Sequence, residues 1–207
     1  MIKSDKILES NSNSAFIFPG QGSQKVGMGR DLLDIDVSAE VFQRVDDALD
    51  RKLSDIIFNG PDEELMLTKN AQPAIMTVSI ACYEALKLKI GNSFPTPKYV
   101  AGHSLGEYTS LYVSGALNLE ETAKLVSLRG ELMQDACDQN PGTMAAIIGL
   151  DEKAVYEISR QTGTYVSNIN TDLQTVISGD KTAIVSAIDL ATSRGAKRAI
   201  PLKVAGA

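Results

Sequence analysis

Apolar residues in this chain come in short runs separated by glycine, proline and small polar residues. Ala15-Phe-Ile-Phe18, closed by Pro19-Gly20, predicts a buried strand that enters a loop. From about Ser38 to Phe58 the pattern is weakly amphipathic and predicts a helical region. Asn70-Ala-Gln-Pro73 predicts a helix start, with Pro73 in the first turn, where a missing N–H is harmless. The segment from Ala74 to Ile90 is apolar on most sides (Ile75, Met76, Val78, Ile80, Tyr83, Leu86). It is expected to form a buried helix, with Cys82 a buried small hydrophobe within it. Pro95 and Pro97 interrupt the chain before a second short apolar run, Tyr99-Val100-Ala101, and a helix-like segment then runs to near Gly115. Asn118-Leu-Glu-Glu121 has the form of an N-cap with an acid at the third position. It opens a helix to about Ala136, carrying Arg129 and apolar positions at Ala123, Val126, Leu132, Met133 and Ala136.

After Asn140-Pro-Gly142 the pattern changes. Thr143–Ile148 predicts a strand, Asp151–Thr162 a helix, Thr164–Ser167 and Thr175–Ser178 two strands, and Asp180–Ser193 a second helix. Gly195 is the expected C-cap and Lys197–Leu202 a final strand. Strand-helix-strand-strand-helix-strand is the split arrangement of a ferredoxin-like unit. Its place after the preceding helices predicts an insertion into a larger α/β core.

A chain of 207 residues accommodates one good-sized domain, or one domain with a smaller inserted unit. Its net charge of −6, with no cluster of basic residues beyond Lys197-Arg198, argues against a nucleic-acid partner. Two cysteines, Cys82 and Cys137, make no disulfide framework and have no metal-ligand spacing around them. No apolar run approaches the ~20 residues that span a bilayer. The Ser/Asn-rich first fourteen residues predict a flexible tail and not a signal peptide, so the expected location is the cytoplasm, away from membranes.

The candidate chemistry lies at Gly102-His-Ser-Leu-Gly-Glu107. A strand, then Gly-x-Ser-x-Gly, then a helix is the pattern of a nucleophile elbow, in which a serine stands on a strained turn and its flanking glycines avoid collision. Ser104 would then face the helix N-terminus, where backbone amides and the helix dipole favour developing negative charge. The loop Phe18-Pro-Gly-Gln-Gly-Ser-Gln24 sets two glycines around Gln21, which lets backbone amides approach a ligand. An ordinary strand-to-helix connection accounts for that loop equally well. Serine needs a general base, and the one histidine in the chain, His103, adjoins Ser104 on a turn where neighbours point apart. Either the base lies elsewhere or the chain is incomplete.

Phe18-Pro-Gly-Gln-Gly-Ser-Gln24, Gln72-Pro-Ala74, Gly102-His-Ser-Leu-Gly-Glu107 and Arg129-Gly130 succeed one another in a telling order, and Gly142-Thr-Met-Ala-Ala146, Asn168-Ile-Asn170 and Val176-Ile-Ser-Gly179 continue it. In order and approximate spacing they resemble the malonyl-CoA:acyl carrier protein transacylases, over nearly the whole chain after residue 14, and the related acyltransferase domains of polyketide synthases. The resemblance implies an α/β fold: a hydrolase-like larger subdomain, incomplete here, with an inserted ferredoxin-like smaller subdomain. Residues 1–14 would be the tail, 15–139 the N-terminal part of the core, 140–203 the ferredoxin-like unit and 204–207 the start of the return to the core. It implies transfer of a malonyl group from malonyl-CoA to the phosphopantetheine thiol of acyl carrier protein, through an ester on Ser104, in fatty acid biosynthesis, with no bound cofactor or metal. The backbone N–H groups of Gln21 and Leu105 would form the oxyanion hole. Arg129 would hold the malonyl carboxylate, and Asn168 and Asn170 would line the cleft between the subdomains near the pantetheine path; a role as polar strand-end residues in a turn accounts for the two asparagines equally well. An acidic carrier protein would dock on a local basic patch.

In the family, the stretch resembling Pro201-Leu-Lys-Val-Ala-Gly-Ala207 runs straight into Phe-His-Ser, whose histidine is the catalytic base. The expectation is therefore a fragment, poorly active by itself. The elbow alone also fits a serine esterase or thioesterase, a polyketide acyltransferase, or a non-catalytic module that binds a carrier protein. Arg129 discriminates, because a carboxylate-bearing acyl group needs a cationic clamp whereas a plain lipid ester needs an apolar pocket.

Overall fold

The computed structural model describes residues 14–202. The expected tail, apart from its last residue, and the stretch 204–207 lie outside the described residues. The chain divides into two compact units: one runs up to Leu65 and resumes over Lys69–Gly130, and the other takes Met66–Thr68 and the chain from Glu131 onward.

In the first unit, β1 (Ala15–Phe18) and β2 (Tyr99–Gly102) pair in parallel, with Phe18 opposite Gly102. Parallel neighbours need a long crossover, here supplied by α1 (Asp36–Leu49), α2 (Leu53–Asn59), α3 (Asp62–Met66) and α4 (Thr68–Ile90). β1 is not the buried strand that its apolar run predicts: exposed and half-buried positions alternate, and Ile17 is 80% exposed. Its other face carries Phe16, packed edge-on against Phe94 and Tyr83.

The helical region expected over 38–58 is two helices. Asp50 ends α1 with φ 50°, and the buried Asp46 carboxylate restarts the chain by accepting the Ser54 N–H (2.9 Å) and hydroxyl (2.6 Å). The helix α4 begins before Asn70, so Pro73 lies inside it and not in its first turn. Proline cannot donate to the carbonyl four residues back. That carbonyl, Lys69 O, instead accepts from Arg51 Nη2 at 3.1 Å, while Arg51 Nη1 donates to Asn70 Oδ1 at 2.6 Å. Early in α4, Ala74, Ile75, Met76 and Ile80 are buried, as expected of a buried helix; Cys82, Leu86, Leu88 and Ile90 are exposed, contrary to that expectation. Beyond β2 come α5 (Gly106–Val113) and α6 (Leu119–Gln139). Asn118 and Glu121 cap α6 reciprocally, Oδ1 accepting the Glu121 N–H at 2.8 Å and Oε2 the Asn118 N–H at 3.0 Å. Leu105, Leu119, Ala123 and Val126 join Phe42, Ile57, Met76 and Ile80 in the core of this unit.

The second unit is β3 (Thr143–Ile148), α7 (Glu152–Thr162), β4 (Tyr165–Thr171), β5 (Gln174–Gly179), α8 (Lys181–Ser193) and β6 (Arg198–Pro201). Its strands form an antiparallel sheet in the order β4-β5-β3-β6. Ala145, Ile147 and Ile177 from the sheet pack with Val155 and Ile158 of α7 and Ile184, Ala187 and Ala191 of α8. Asp151 caps α7 by accepting the Ala154 N–H at 2.8 Å. Leu132 and Met133, expected on the apolar face of α6, are 60% and 40% exposed. Among the described residues, no helix is long and apolar enough to cross a membrane.

Candidate active site

The backbone between β2 and α5 makes a sharp turn through His103, Ser104 and Leu105. Ser104 sits at φ 53°, a left-handed conformation that costs a non-glycine residue on the order of 1–3 kcal/mol. Close packing holds it there. The His103 N–H donates to Phe18 O (3.0 Å), the Gly106 N–H to His103 O (2.9 Å) and the Glu107 N–H to Ser104 O (3.1 Å). A Cβ on Gly102 would overlap the backbone of Gly106. A Cβ on Gly106 would strike Phe18 O and lie 2.8 Å from Pro19 O. Both glycines are thus required by backbone approach. Leu105 anchors the turn with a fully buried side chain, while Ser104 is exposed. Among the described residues, the Leu105 N–H, one residue past the serine at the start of α5, takes no part in the hydrogen bonds that close the turn. It stands where a helix N-terminus favours anionic oxygen.

The loop carrying Gln21 leaves β1 at the end that pairs with Gly102, and it rests on the elbow. Gly20 packs against His103 so closely that a Cβ there would meet the imidazole Nδ1 and come within 2.9 Å of His103 O. Within the loop, Ser23 Oγ donates to Gly20 O at 2.9 Å and the Gly22 N–H donates to Gln24 Oε1 at 2.8 Å.

Arg129 reaches the serine from α6: its Nη2 donates to Ser104 Oγ at 3.0 Å. Its Nη1 donates to Gln72 Oε1, and its guanidinium lies 6.0 Å from the centre of the Tyr108 ring. Gln72 is a fully buried polar side chain on α4. Sequence reasoning assigns it no role beyond its place in Gln72-Pro-Ala74; a lone glutamine ahead of a proline on an apolar helix is the signal that it holds something in place. The resulting site sets a cationic fork beside a serine hydroxyl on a strained turn. Among the described residues, no imidazole or carboxylate hydrogen-bonds to Ser104 Oγ, and an arginine does not give up a proton near neutrality.

Asn168 and Asn170 belong to the second unit. They lie within β4, Asn168 opposite Val176, in a stretch whose register shifts between Val166 and Asn168 and again between Ile169 and Thr171. The strand expected to end at Ser167 therefore continues through both. Among the described residues, no group of His, Cys, Asp and Glu side chains is arranged to hold a metal ion.

Comparison with known proteins bears on this geometry. The malonyl CoA-acyl carrier protein transacylase of Bacillus subtilis (strain 168) is 45% identical over 201 residues, which cover 94% of this chain and 62% of that protein. The solved structure of the malonyl CoA-acyl carrier protein transacylase from Coxiella burnetii superposes with a TM-score of 0.87 at 40% identity, over 94% of this chain and 62% of that one. A structure described as a type II PKS acyl-carrier protein in complex with its malonyl-transacylase matches with a TM-score of 0.86 at 39% identity, over 94% of this chain and 64% of that one. The chain thus spans somewhat under two thirds of the length of these relatives. Residues 15–206 match the acyl transferase domain, and this chain belongs to that family.

Proposed function

We propose that the first unit is the acyl-accepting site of a malonyl-CoA:acyl carrier protein transacylase serving fatty acid biosynthesis. Ser104 Oγ attacks the thioester carbonyl of malonyl-CoA, the carbon–sulfur bond breaks, and the serine proton leaves on coenzyme A as its thiol. The phosphopantetheine thiol of acyl carrier protein then attacks the seryl ester and returns a proton to Ser104. The N–H groups of Gln21 and Leu105 bind the oxyanion in each half-reaction. One observation carries the choice of acyl group: the Arg129 guanidinium lies 3.0 Å from Ser104 Oγ. In a malonyl thioester a single methylene separates the free carboxylate from the reacting carbonyl, so its cationic partner has to stand beside the nucleophile. A neutral acyl chain has no use for a guanidinium fork. The complex of a relative with an acyl-carrier protein supports the choice of acceptor. We also read residues 140–203, which lie within the second unit, as a ferredoxin-like subdomain inserted into a hydrolase-like core of which 15–139 is the N-terminal part. The antiparallel order β4-β5-β3-β6 supports this reading. Asn168 and Asn170 are its polar contacts for the pantetheine arm, and the reaction belongs to the cytoplasm.

The test is intact-protein mass spectrometry after incubation with malonyl-CoA, beside Ser104→Ala. Without a base at the serine, turnover falls by roughly a millionfold. From ordinary values of about 1–10³ s⁻¹, that leaves about 10⁻⁶–10⁻³ s⁻¹, which is readable within about a day as partial to full single-turnover labelling. A malonyl increment confined to the parent is expected; an equal increment on Ser104→Ala, or none on the parent after a day, overturns the proposal.

A further inference from the structure

We propose that Ser23 is a positioning residue for the oxyanion hole, acting through the peptide between Gly20 and Gln21; this rests on the reading that the Gln21 N–H is one of the two donors. In a trans peptide the C=O and N–H of one unit point in opposite directions and rotate together. The Gly20 carbonyl and the Gln21 N–H share one such unit. Ser23 Oγ donates to that carbonyl at 2.9 Å, so the hydroxyl fixes the direction in which the Gln21 N–H points. The next peptide unit is held as well, because the Gly22 N–H donates to Gln24 Oε1 at 2.8 Å. Both peptides flanking the Gln21 Cα are therefore held by side chains of the loop itself. At the other end, the contact of Gly20 with His103 ties the same peptide to the elbow. Rotation of this peptide about its axis is the motion the Ser23 hydroxyl opposes, and it would swing a carbonyl oxygen toward a developing oxyanion where a donor is needed. A hydrogen bond accepted by Gly20 O also polarises the peptide and makes the Gln21 N–H a better donor.

The experiment uses the full 207-residue chain as parent, Ser23→Ala and Ser23→Thr, the last keeping the hydroxyl. The limiting rate of Ser104 acylation and the half-saturating malonyl-CoA concentration are measured by mass spectrometry. The backbone ¹⁵N–¹H resonance and exchange rate of Gln21 are measured by NMR. Deleting a direct oxyanion donor costs about 10²–10³-fold; loosening one that remains present is expected to cost about tenfold. Ser23→Ala should lower the limiting rate by that factor, leave half-saturation within about twofold, shift the Gln21 amide and speed its exchange, and Ser23→Thr should restore all of these. A Gln21 amide unchanged in Ser23→Ala overturns the bracing whatever the activity. A shifted amide with an unchanged limiting rate overturns the catalytic consequence and leaves the transacylase reading standing. A parent that takes up no malonyl group overturns that reading, and the positioning role with it, while the amide data still report whether the brace exists.

Discussion

Gln72→Glu is a nearly isosteric change that isolates charge at the proposed clamp. Gln72 is fully buried and accepts a hydrogen bond from Arg129 Nη1, while Arg129 Nη2 faces Ser104. The introduced carboxylate, kept ionised by the guanidinium it touches, would satisfy Arg129 from behind. It would also repel a substrate carboxylate bound on the other side of the fork. Across about 6 Å at an effective dielectric constant near 20, two unit charges interact by about 3 kcal/mol; solvent at the half-buried Arg129 reduces this to about 1.5–2.5 kcal/mol. Acylation by malonyl-CoA, read as the second-order rate of seryl ester formation, should therefore fall about tenfold to 100-fold. Acetyl-CoA carries no carboxylate and should lose less than about threefold, because the elbow and the proposed oxyanion donors are untouched. A thermal melt within a few degrees of the parent verifies that the packing is kept. Equal losses for the two acyl donors would refute the reasoning, and so would an unchanged malonyl rate. Either result would mean that a charge at position 72 is not felt by an acyl carboxylate on the fork.

Arg129→Ala should reduce malonyl uptake by about 10-fold to 150-fold, the worth of a hydrogen bond to a charged group, with acetyl uptake changed far less; parallel acylation assays decide it. Gly102→Ala places a Cβ in the backbone of Gly106 and should destabilise the chain by about 1–3 kcal/mol or more in urea unfolding, with loss of Ser104 acylation. Asp46→Ala removes the buried acceptor of the Ser54 N–H and hydroxyl and should cost about 1–3 kcal/mol in the same assay. Arg51→Ala leaves Lys69 O without the donor that stands in for the absent Pro73 N–H. Its cost, about 1–2 kcal/mol, should shrink when Pro73→Ala restores a backbone donor, and a double-mutant cycle without coupling would refute the substitution argument.

What could be read in the sequence was what the backbone decides locally. Gly102 and Gly106 lie within five residues of each other, and their meaning, a turn too tight for side chains, comes from that spacing; the structure adds the left-handed Ser104. The strands and helices from Thr143 to Pro201 were likewise legible, because caps such as Asp151 and the alternation of Ala145 and Ile147 act over one turn or one pleat. Features that depend on distant partners were not. The break at Asp50 carries no glycine or proline, and the carboxylate that restarts the chain, Asp46, reaches eight residues ahead to Ser54. Pro73 looked like a first-turn residue because its missing donor is replaced by Arg51, 18 residues before the carbonyl it serves. Leu86, Leu132 and Met133 are exposed against expectation for a related reason: helical spacing tells which residues share a side and not whether a neighbour covers that side. Arg129 shows the limit most sharply. On spacing alone it is a surface arginine on a helix, and only the family resemblance gave it a role. Its environment comes from Ser104, 25 residues away, and Gln72, 57 residues away, so no local window contains the proposed clamp. An elbow can be specified by five residues because its constraint is steric and internal to one turn; a charge-selective site has to be assembled by the core that brings α4, α5 and α6 together.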